Sequence, residues 1–278
     1  MKKIIKYILE EDEGYGDITS NLLVDKDKIG IAIIISKEKG IFAGFEIIKE
    51  ILDENNLEIL SYFNDGNKIV PGDILLKIKG NARKILLLER TILNILMRMS
   101  GVATYTNETV NIIKDINPKC IVAGTRKTSP GISKFDKIAI SIGGGDTHRF
   151  SLDDMVLIKD NHIAIVGEPL DALKIAKSKC SFSKKIEIEV ESVSDAIECA
   201  RYGADIIMLD NMSVTKIQET LDKLSNLNLR NNVLIEISGG ITKENIKSYA
   251  ELDIDIISLG ALTNSSKSLN FSLNFEKW

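Results

Sequence analysis

Six apolar runs in the second half of the chain each end at residues that could bind an anion or a metal ion. The residues at these ends are Arg126 with Lys127, Lys159, Glu189, Asp210, the segment 238–240 and Gly260. An α/β barrel builds its active site from residues at the C-terminal ends of successive strands. The pattern therefore predicts both a barrel fold and the place of its active site.

Cations follow two of these runs. The turn TRKTSPG (125–131) holds Arg126, whose planar guanidinium fits a carboxylate or phosphate, and Lys127, which acts as a point charge. The same pair could also be a solvated surface turn. Lys159 ends the run MVLIK, where it is an anion binder, a Schiff-base nucleophile or a lysine that snorkels at the barrel rim.

The segment GGGDTHRF (143–150) combines a glycine triplet with His148 and Arg149. Glycines allow backbone amides to approach a ligand, and a nest of amides can bind an anion. A loop with an incidental histidine is the alternative. The chain has 2 histidines, and we interpret the other, His162 in KDNH, as a structural capping residue.

Acidic residues alternate along the run IEIEVES, which places Glu187, Glu189 and Glu191 on one face of a predicted strand. Carboxylates that point into a barrel are unfavourable unless they meet cations or a metal ion. Glu187 and Glu191 could instead face outward. Asp210 ends the next run, and one acid from each of two adjacent strands suits Mg²⁺ or ribose hydroxyls.

Small residues end the last two runs, in ISGGIT (237–242) and SLGALT (258–263). Such turns free backbone N–H groups at the start of the following helix, where many barrels bind phosphate. The whole set therefore requires a ligand that carries a phosphate, hydroxyls or a metal-bound polyanion, and further carboxylates for Arg126, Arg149 and Lys159.

The periodicity of the apolar residues divides the chain into two regions. In the first, helices are predicted at 4–11, 45–56 and 82–116, the last interrupted near Ser100–Gly101, and strands within 30–44, 57–63 and 73–80. In the second, strands near 120–125, 154–159, 185–191, 205–210, 232–237 and 254–260 alternate with helices at 168–179, 192–203, 214–227 and 243–252. Connections of this length predict parallel strands with right-handed crossovers, and hence an α/β barrel beside an α+β region. The alternating tail SLNFSLNFEKW predicts a strand or extension that returns to the first region.

Composition argues against several classes of protein. The net charge of −4 contains no block of like charge, which argues against a nucleic-acid partner. The apolar runs fall short of the roughly 20 residues that a membrane span needs, and the N-terminus reads as an amphipathic helix and not as a signal peptide. The 3 cysteines are scattered without a CxxC pair, which fits a reducing cytoplasm.

The chain resembles the quinolinate phosphoribosyltransferases, the carboxylating nicotinate-nucleotide pyrophosphorylases. The matching stretches are EDEGYGDITS (11–20), ERTILNILMRMSGVAT (89–104), TRKTSPG (125–131), GGGDTHR (143–149), LIKDNH (157–162), EIEVES (187–192), IMLDNM (207–212), SGGIT (238–242) and ISLGALTNS (257–265). The resemblance implies an open, TIM-like α/β barrel (106–265) and an N-terminal α/β sandwich domain (1–105) that the tail 266–278 joins. It also implies a head-to-tail homodimer, Mg²⁺, and the substrates quinolinate and phosphoribosyl pyrophosphate.

The motifs of this family imply roles for individual residues. The quinolinate pocket is implied to contain Arg126, His148, Arg149 and Lys159, with Arg90 contributed by the neighbouring subunit. Thr125 is implied to be a further substrate-binding residue. The catalytic residues on the ribose and pyrophosphate side are implied to be Lys127, Lys159, Glu189 and Asp210, with the two acids aiding Mg²⁺ directly or indirectly. The cradle of the 5′-phosphate is implied to consist of Ser238, Gly239, Gly240, Leu259, Gly260 and Ala261.

Two positions depart from the family pattern, Thr147 in place of Asn and Ser151 in place of Gly. The implied reaction makes nicotinate mononucleotide, pyrophosphate and CO₂ in de novo NAD biosynthesis. The alternatives are a related phosphoribosyltransferase or pyrophosphorylase that acts on another acid such as nicotinate, a Schiff-base aldolase that uses Lys159, and a non-catalytic ligand-binding barrel. Because a dicarboxylate requires more cations than a monocarboxylate, the full set of cations favours quinolinate.

Overall fold

The computed structural model describes residues 2–276, and the chain divides into two compact units. The first unit contains Met1–Asn107, Thr128–Gly144 and Leu262–Trp278, and the second contains Glu108–Lys127 and Gly145–Ala261. The domain boundaries that the sequence suggests, near residues 105 and 265, stay a prediction.

The elements follow one another in this order: α1 (Lys2–Glu13), α2 (Ile18–Leu23), β1 (Ile29–Ser36), β2 (Gly40–Ile41), α3 (Phe45–Glu54), β3 (Glu58–Tyr62), β4 (Lys68–Ile69), β5 (Ile74–Asn81), α4 (Ala82–Lys114), β6 (Ile121–Ala123), α5 (Ser133–Ile142), β7 (Val156–Ile158), α6 (Asp160–Val166), α7 (Pro169–Lys179), β8 (Ile186–Val190), α8 (Val193–Tyr202), β9 (Ile206–Asp210), α9 (Val214–Asn226), β10 (Leu234–Ser238), α10 (Ile246–Ala250), β11 (Ile256–Ser258), α11 (Ala261–Asn264) and β12 (Phe271–Phe275). None of the helices in residues 2–276 is long and apolar enough to cross a membrane.

An antiparallel sheet in the order β12-β1-β5-β3 forms part of the first unit. Alternate residues of β1 are buried because one face of this sheet packs on the core. The tail supplies β12, which pairs with β1 from Ala32 opposite Phe275 to Ser36 opposite Phe271. The second strand predicted within 30–44 is the short β2, which pairs with β4.

Helix α4 runs without a break through Ser100 and Gly101, so the interruption that the sequence predicts there is wrong. The Ser100 hydroxyl accepts the N–H of Ala43 at 3.0 Å and donates to its carbonyl at 3.3 Å. A Cβ on Gly101 would lie 2.1 Å from the carbonyl oxygen of Lys267. The two small residues therefore allow other segments of the first unit to approach the helix closely, and they do not end it.

Parallel strands form the sheet of the second unit, in the order β6-β11-β10-β9-β8-β7. Helices follow most of these strands, so the predicted fold class, an open, TIM-like α/β barrel with an N-terminal α/β sandwich domain, is confirmed, and the N-terminal domain contains an antiparallel sheet. The strands β6 and β7 end the order. An isolated parallel bridge joins Ala123 to Asp146, which holds the segment before His148 beside the edge strand β6.

Candidate active site

A pocket of about 750 Å³ opens at the C-terminal ends of the barrel strands. The predicted site residues that line it are Thr125, Arg126, Lys127, His148, Arg149, Lys159, Glu189, Asp210 and Ser238. Met155, Met208 and Leu157 add an apolar wall that the sequence reading did not single out. Residues far apart in sequence thus meet in one cavity.

The other predicted site residues are not among those that line this pocket: Arg90, Gly239, Gly240, Leu259, Gly260 and Ala261. Arg90 lies on α4 in the first unit, where its side chain is 61% exposed and its Nη2 is 3.9 Å from Glu89 Oε1. The remaining five belong to the two glycine-containing turns after β10 and β11.

The turn after β10 requires glycine at position 239. The φ of Gly239 is +87°, and a Cβ there would lie 2.3 Å from Asn211 Oδ1. The Asn211 N–H donates to the Ser238 carbonyl at 3.0 Å, so the ends of β9 and β10 are tied together. In the turn after β11, the Leu259 N–H already donates to the Ala123 carbonyl at 3.0 Å.

Two guanidinium groups occur in the same pocket. Arg126 is exposed, and its side chain has no hydrogen bond or ion pair with the rest of residues 2–276. Burial, and next the charge of Arg126, lowers the pKa of Arg149. The carboxylates of Glu187 and Asp154 oppose these effects. The positive charges of Arg126 and Arg149 repel each other, and an anion bound between them would offset that repulsion. This part of the pocket therefore suits a carboxylate or a phosphate.

An ion pair joins two predicted catalytic residues, since Lys159 Nζ lies 3.0 Å from Glu189 Oε2. Asp210 ends the neighbouring strand β9 and accepts a hydrogen bond from Asn211 Nδ2 at 2.5 Å. The carboxylates of Glu189 and Asp210 are partly exposed in the pocket, so they are accessible oxygen ligands of the kind that Mg²⁺ prefers.

His162 caps helix α6, as predicted. Its Nδ1 accepts the N–H of Lys159 at 2.9 Å, and its own N–H donates to the Lys159 carbonyl at 2.8 Å. His162 also lines the pocket. These contacts fix the backbone at Lys159, so the residue that sequence reasoning treated as structural supports the turn on which Lys159 lies.

A buried ion cluster of His148, Glu187 and Glu236 lies inside the barrel. His148 Nε2 is 3.2 Å from Glu236 Oε2 and 3.2 Å from Glu187 Oε2, and both glutamates are fully buried. Burial alone would lower the pKa of His148, but the close contacts and negative charges of Glu187 and Glu236 outweigh it and raise the pKa to about 10. Burial raises the pKa of Glu187. The cluster is therefore held together by a positive imidazole.

Sequence reasoning missed Glu236. It is the single acid of β10 (LIEIS), two residues before Ser238 and hence on the same side of the strand. The sequence did contain a signal for Glu236, because a single acidic residue in an otherwise apolar strand is unusual unless it has a partner. His148, Glu187 and Glu236 each offer one nitrogen or oxygen atom that could bind a metal ion, and these three atoms lie within 4.8 Å of one another. Within residues 2–276, this is the group of such side chains that lies close enough together to share a metal ion.

Two other readings of the sequence need correction. The row Glu187, Glu189 and Glu191 does not continue along one buried face, because β8 ends at Val190 and Glu191 is exposed beyond it. The glycine triplet 143–145 does not line the pocket as an anion nest. Gly143 is instead the C-cap residue of α5.

The comparisons with known proteins agree over nearly the whole chain. The model of the quinolinate phosphoribosyl transferase C-terminal domain matches residues 102–274, and that of the N-terminal domain matches residues 17–100. The probable nicotinate-nucleotide pyrophosphorylase (carboxylating) of Methanocaldococcus jannaschii is 46% identical over 278 residues, which covers 99% of this chain and 97% of that protein. The nicotinate-nucleotide pyrophosphorylase (carboxylating) of Rattus norvegicus is 35% identical, covering 87% of this chain and 80% of that protein. The crystal structure of NadC from Streptococcus pyogenes superposes with a TM-score of 0.90 at 36% identity, covering 99% of this chain and 97% of that chain.

A barrel with this pocket and these relatives is a phosphoribosyltransferase. The chain belongs to the quinolinate phosphoribosyltransferase family, which confirms the resemblance. The reaction transfers phosphoribosyl from phosphoribosyl pyrophosphate to quinolinate with decarboxylation, and it yields nicotinate mononucleotide, pyrophosphate and CO₂ in NAD biosynthesis. The aldolase and the non-catalytic alternatives are set aside.

Proposed function

We propose that Arg126, Arg149 and His148 bind the two carboxylates of quinolinate, with Thr125 and Lys159 beside them. The observation that carries this assignment is the pair of mutually repelling guanidiniums, because Arg126 has no anionic partner in the described chain. A planar dicarboxylate supplies the missing negative charge and fits the bidentate fork of arginine. The apolar wall of Met155 and similar residues suits the face of the pyridine ring.

The ribose and the pyrophosphate occupy the part of the pocket that Lys127, Lys159, Glu189 and Asp210 line. The lysines neutralise the leaving oxygens, and the carboxylates face the positive charge that develops on the ribose. The 5′-phosphate binds the turns after β10 and β11, through Ser238, Gly239, Gly240, Leu259, Gly260 and Ala261. The positive φ angles of Gly239 (+87°) and Gly240 (+61°) support this assignment, because turns of this kind can form a nest of backbone amides that binds an anion.

The chemistry follows from this placement. The lone pair of the pyridine nitrogen forms the bond to the anomeric carbon while the C–O bond breaks and pyrophosphate leaves with its electrons. The ring nitrogen is then positive, so it draws in the electrons of the adjacent C–CO₂⁻ bond as CO₂ departs. The ring carbon takes up a proton. The cations Arg126 and Arg149 hold the substrate in place during both steps.

Mg²⁺ is the cofactor of this proposal. Mg²⁺ in enzymes commonly binds one or two protein carboxylates, several waters and the phosphates of the substrate. Glu189 and Asp210 would be the two protein carboxylates here. When bound, it neutralises charge on the pyrophosphate. We expect EDTA to abolish activity and Asp210→Asn to raise the Mg²⁺ concentration needed for half-maximal rate. Full activity without a divalent cation would contradict the proposal.

The assignment of Arg126 is tested by Arg126→Ala, with Arg201→Ala on the exposed end of α8 as the matched control. Loss of a charged hydrogen bond of about 1.5–3 kcal/mol should raise KM for quinolinate about 10- to 150-fold. KM for phosphoribosyl pyrophosphate should change little. A quinolinate KM like that of Arg201→Ala would contradict the assignment, and a parallel assay with nicotinate tests the nearest alternative substrate.

The homodimer is the second part of the proposal. Tyr15, Ile18, Leu22 and Leu23 expose apolar side chains, at 114%, 74%, 79% and 79%, which is typical of an interface. The guanidinium of Arg83 ties this segment to α4, by donating to the Val24 carbonyl at 2.7 Å and to Asn21 Oδ1 at 2.9 Å.

Arg90 lies two helical turns after Arg83 and hence on the same face of α4. An exposed arginine next to an exposed apolar segment supports the proposal that a partner subunit covers both. We therefore propose that Arg90 completes the quinolinate pocket of the partner, and that the enzyme acts in the cytoplasm.

Subunit mixing tests whether the site is shared. Arg90→Ala and Arg126→Ala should each be nearly inactive, but their mixed dimers would contain one site with both arginines. Re-associating equal amounts of the two variants should therefore restore about a quarter of the wild-type activity. A mass of one chain in light scattering, or no recovery on mixing, would contradict the shared site.

A further inference from the structure

The charge state of His148 decides whether its ring attracts or repels a carboxylate. Its Nε2 faces Glu187 and Glu236, so this nitrogen must carry a hydrogen. A neutral ring would then present Nδ1 as an acceptor, which repels an anion. A protonated ring presents Nδ1–H as a donor together with a positive charge.

The surroundings of His148 supply the negative charge that keeps it protonated. Two glutamates that are fully buried face the ring, and Arg149 is the other cation that acts on Glu187. Within residues 2–276, His148 is the cation that contacts Glu236. A neutral His148 would leave the Glu236 carboxylate buried without a positive partner, which is strongly unfavourable. Consistent with this, the two glutamates raise the pKa of His148 to about 10.

We propose that Glu236, supported by Glu187, is a positioning residue that holds His148 as an imidazolium aimed at a carboxylate of quinolinate. The proposal rests on the assignment of His148 to the quinolinate pocket. Glu236 itself does not need to touch the substrate, since it acts through the ring.

The backbone at His148 is fixed in a way that fits this role. His148 has φ +52°, a left-handed conformation that a non-glycine residue keeps only with support from its surroundings. Asp146 Oδ1 accepts the His148 N–H at 2.6 Å, and the Thr147 hydroxyl donates to the His148 carbonyl at 2.9 Å. Thr147, which departs from the family pattern, thus takes part in holding the loop.

Nitrogen NMR tests the charge state directly, because the chain has 2 histidines. His162→Gln assigns the signals. In the wild type at pH 7.5, the expected result is that both ring nitrogens of His148 are protonated. In Glu236→Gln, His148 should titrate closer to its ordinary pKa of about 6.5. A neutral His148 ring in the wild type at pH 7.5 would overturn the proposal, whether or not Glu236→Gln folds.

Kinetics test the consequence for the substrate. The variants are Glu236→Gln and Glu187→Gln, with Glu191→Gln as the control because Glu191 is exposed beyond the end of the same strand β8. Between pH 6 and pH 8, the quinolinate KM of Glu236→Gln should rise about tenfold relative to the control, as the ring loses its charge. KM for phosphoribosyl pyrophosphate should follow the control. A KM–pH profile identical to that of the control, in a folded Glu236→Gln protein, would overturn the proposal.

Two further outcomes separate this proposal from the site assignment. If Arg126→Ala leaves the quinolinate KM unchanged while NMR shows an imidazolium, the assignment of the quinolinate pocket is wrong. The assignment of quinolinate as the ligand of His148 is then wrong as well, although the ring is charged. If the purified wild type contains one transition-metal ion per chain that Glu236→Gln loses, the cluster is a metal site and the imidazolium proposal is overturned.

Discussion

The two units each bury a group of charged side chains, and the two groups differ in how their hydrogen bonds are satisfied. In the first unit, the fully buried Asp136 accepts two hydrogen bonds from Arg98, at 2.9 and 3.0 Å. Arg98 also donates to the Thr263 carbonyl at 2.5 Å. In the second unit, the cluster around His148 leaves Glu187 Oε1 and Glu236 Oε1 buried without a hydrogen-bond partner.

The difference separates a group that stabilises the fold from one that serves the site. A bidentate pair satisfies both carboxylate oxygens, so nothing in it remains to act on a ligand. Two carboxylates that share one imidazole N–H cannot both be satisfied, and they are tolerated because they set the charge of the ring. Within residues 2–276, all the buried side-chain atoms that lack a partner lie in the second unit: Glu187 Oε1 and Oε2, Glu236 Oε1 and Ser258 Oγ. Glu187 Oε2 lies 3.2 Å from His148 Nε2, which is an ion-pair contact. It counts as lacking a hydrogen-bond partner because the hydrogen bond of His148 Nε2 is made to Glu236 Oε2.

The largest expected effect comes from opening the satisfied pair. Asp136→Asn leaves the partly buried Arg98 without its counter-charge, so the free energy of unfolding should fall by about 3 kcal/mol. Urea denaturation measures the loss. Kinetic constants per folded molecule should stay close to those of the wild type, because Asp136 is assigned no part in the reaction.

The matched control for this prediction is Asp171→Asn, which removes an exposed ion pair with Lys174 at 3.0 Å. Such a pair contributes about 1 kcal/mol at most, so the control should be close to neutral. Equal stability of the two variants would contradict the structural role of Asp136.

A smaller loss is expected when the charge of the same pair is kept and its geometry is changed. Arg98→Lys retains a cation but cannot donate two parallel hydrogen bonds to Asp136. The free energy of unfolding should fall by about 1–2 kcal/mol, the contribution of one hydrogen bond. A loss as large as that of Asp136→Asn would mean that charge and fork geometry cannot be separated at this position.

The smallest effect on stability is expected in the unsatisfied cluster. In Glu236→Gln, His148 keeps Glu187 as a partner, so the free energy of unfolding at pH 7 should change by less than about 1.5 kcal/mol. Because the folded-state pKa of His148 is raised from 6.5 to about 10, its contribution is fully present below pH 6.5 and is lost as pH rises towards 10.

The pH dependence of unfolding distinguishes the two kinds of cluster. The variant Glu236→Gln should lose less stability than the wild type between pH 7 and pH 10, because less stabilisation is present to be lost. Denaturation curves at several pH values measure this difference. The same dependence on pH in both proteins would show that Glu236 does not set the pKa of His148.

Much of the fold and of the site was predictable because the signals are local. Apolar runs separated by helical periodicity located the barrel strands, and the residue after each run located Lys159, Glu189 and Asp210. Local signals were misleading where packing decides. Ser100 and Gly101 look like a helix break, but their small size serves contacts with Ala43 and Lys267.

The amino-acid sequence by itself determined the alternation of strands and helices, the set of cations and acids, and the family. These follow from side-chain period and from residues that adjoin one another in the chain. Only the tertiary structure joined His148 to Glu236, across 88 residues, and buried the Glu236 carboxylate. Burial removes water and brings charges within contact distance, and this is what sets the charge of the ring. Such a property belongs to the folded arrangement and to no single stretch of sequence.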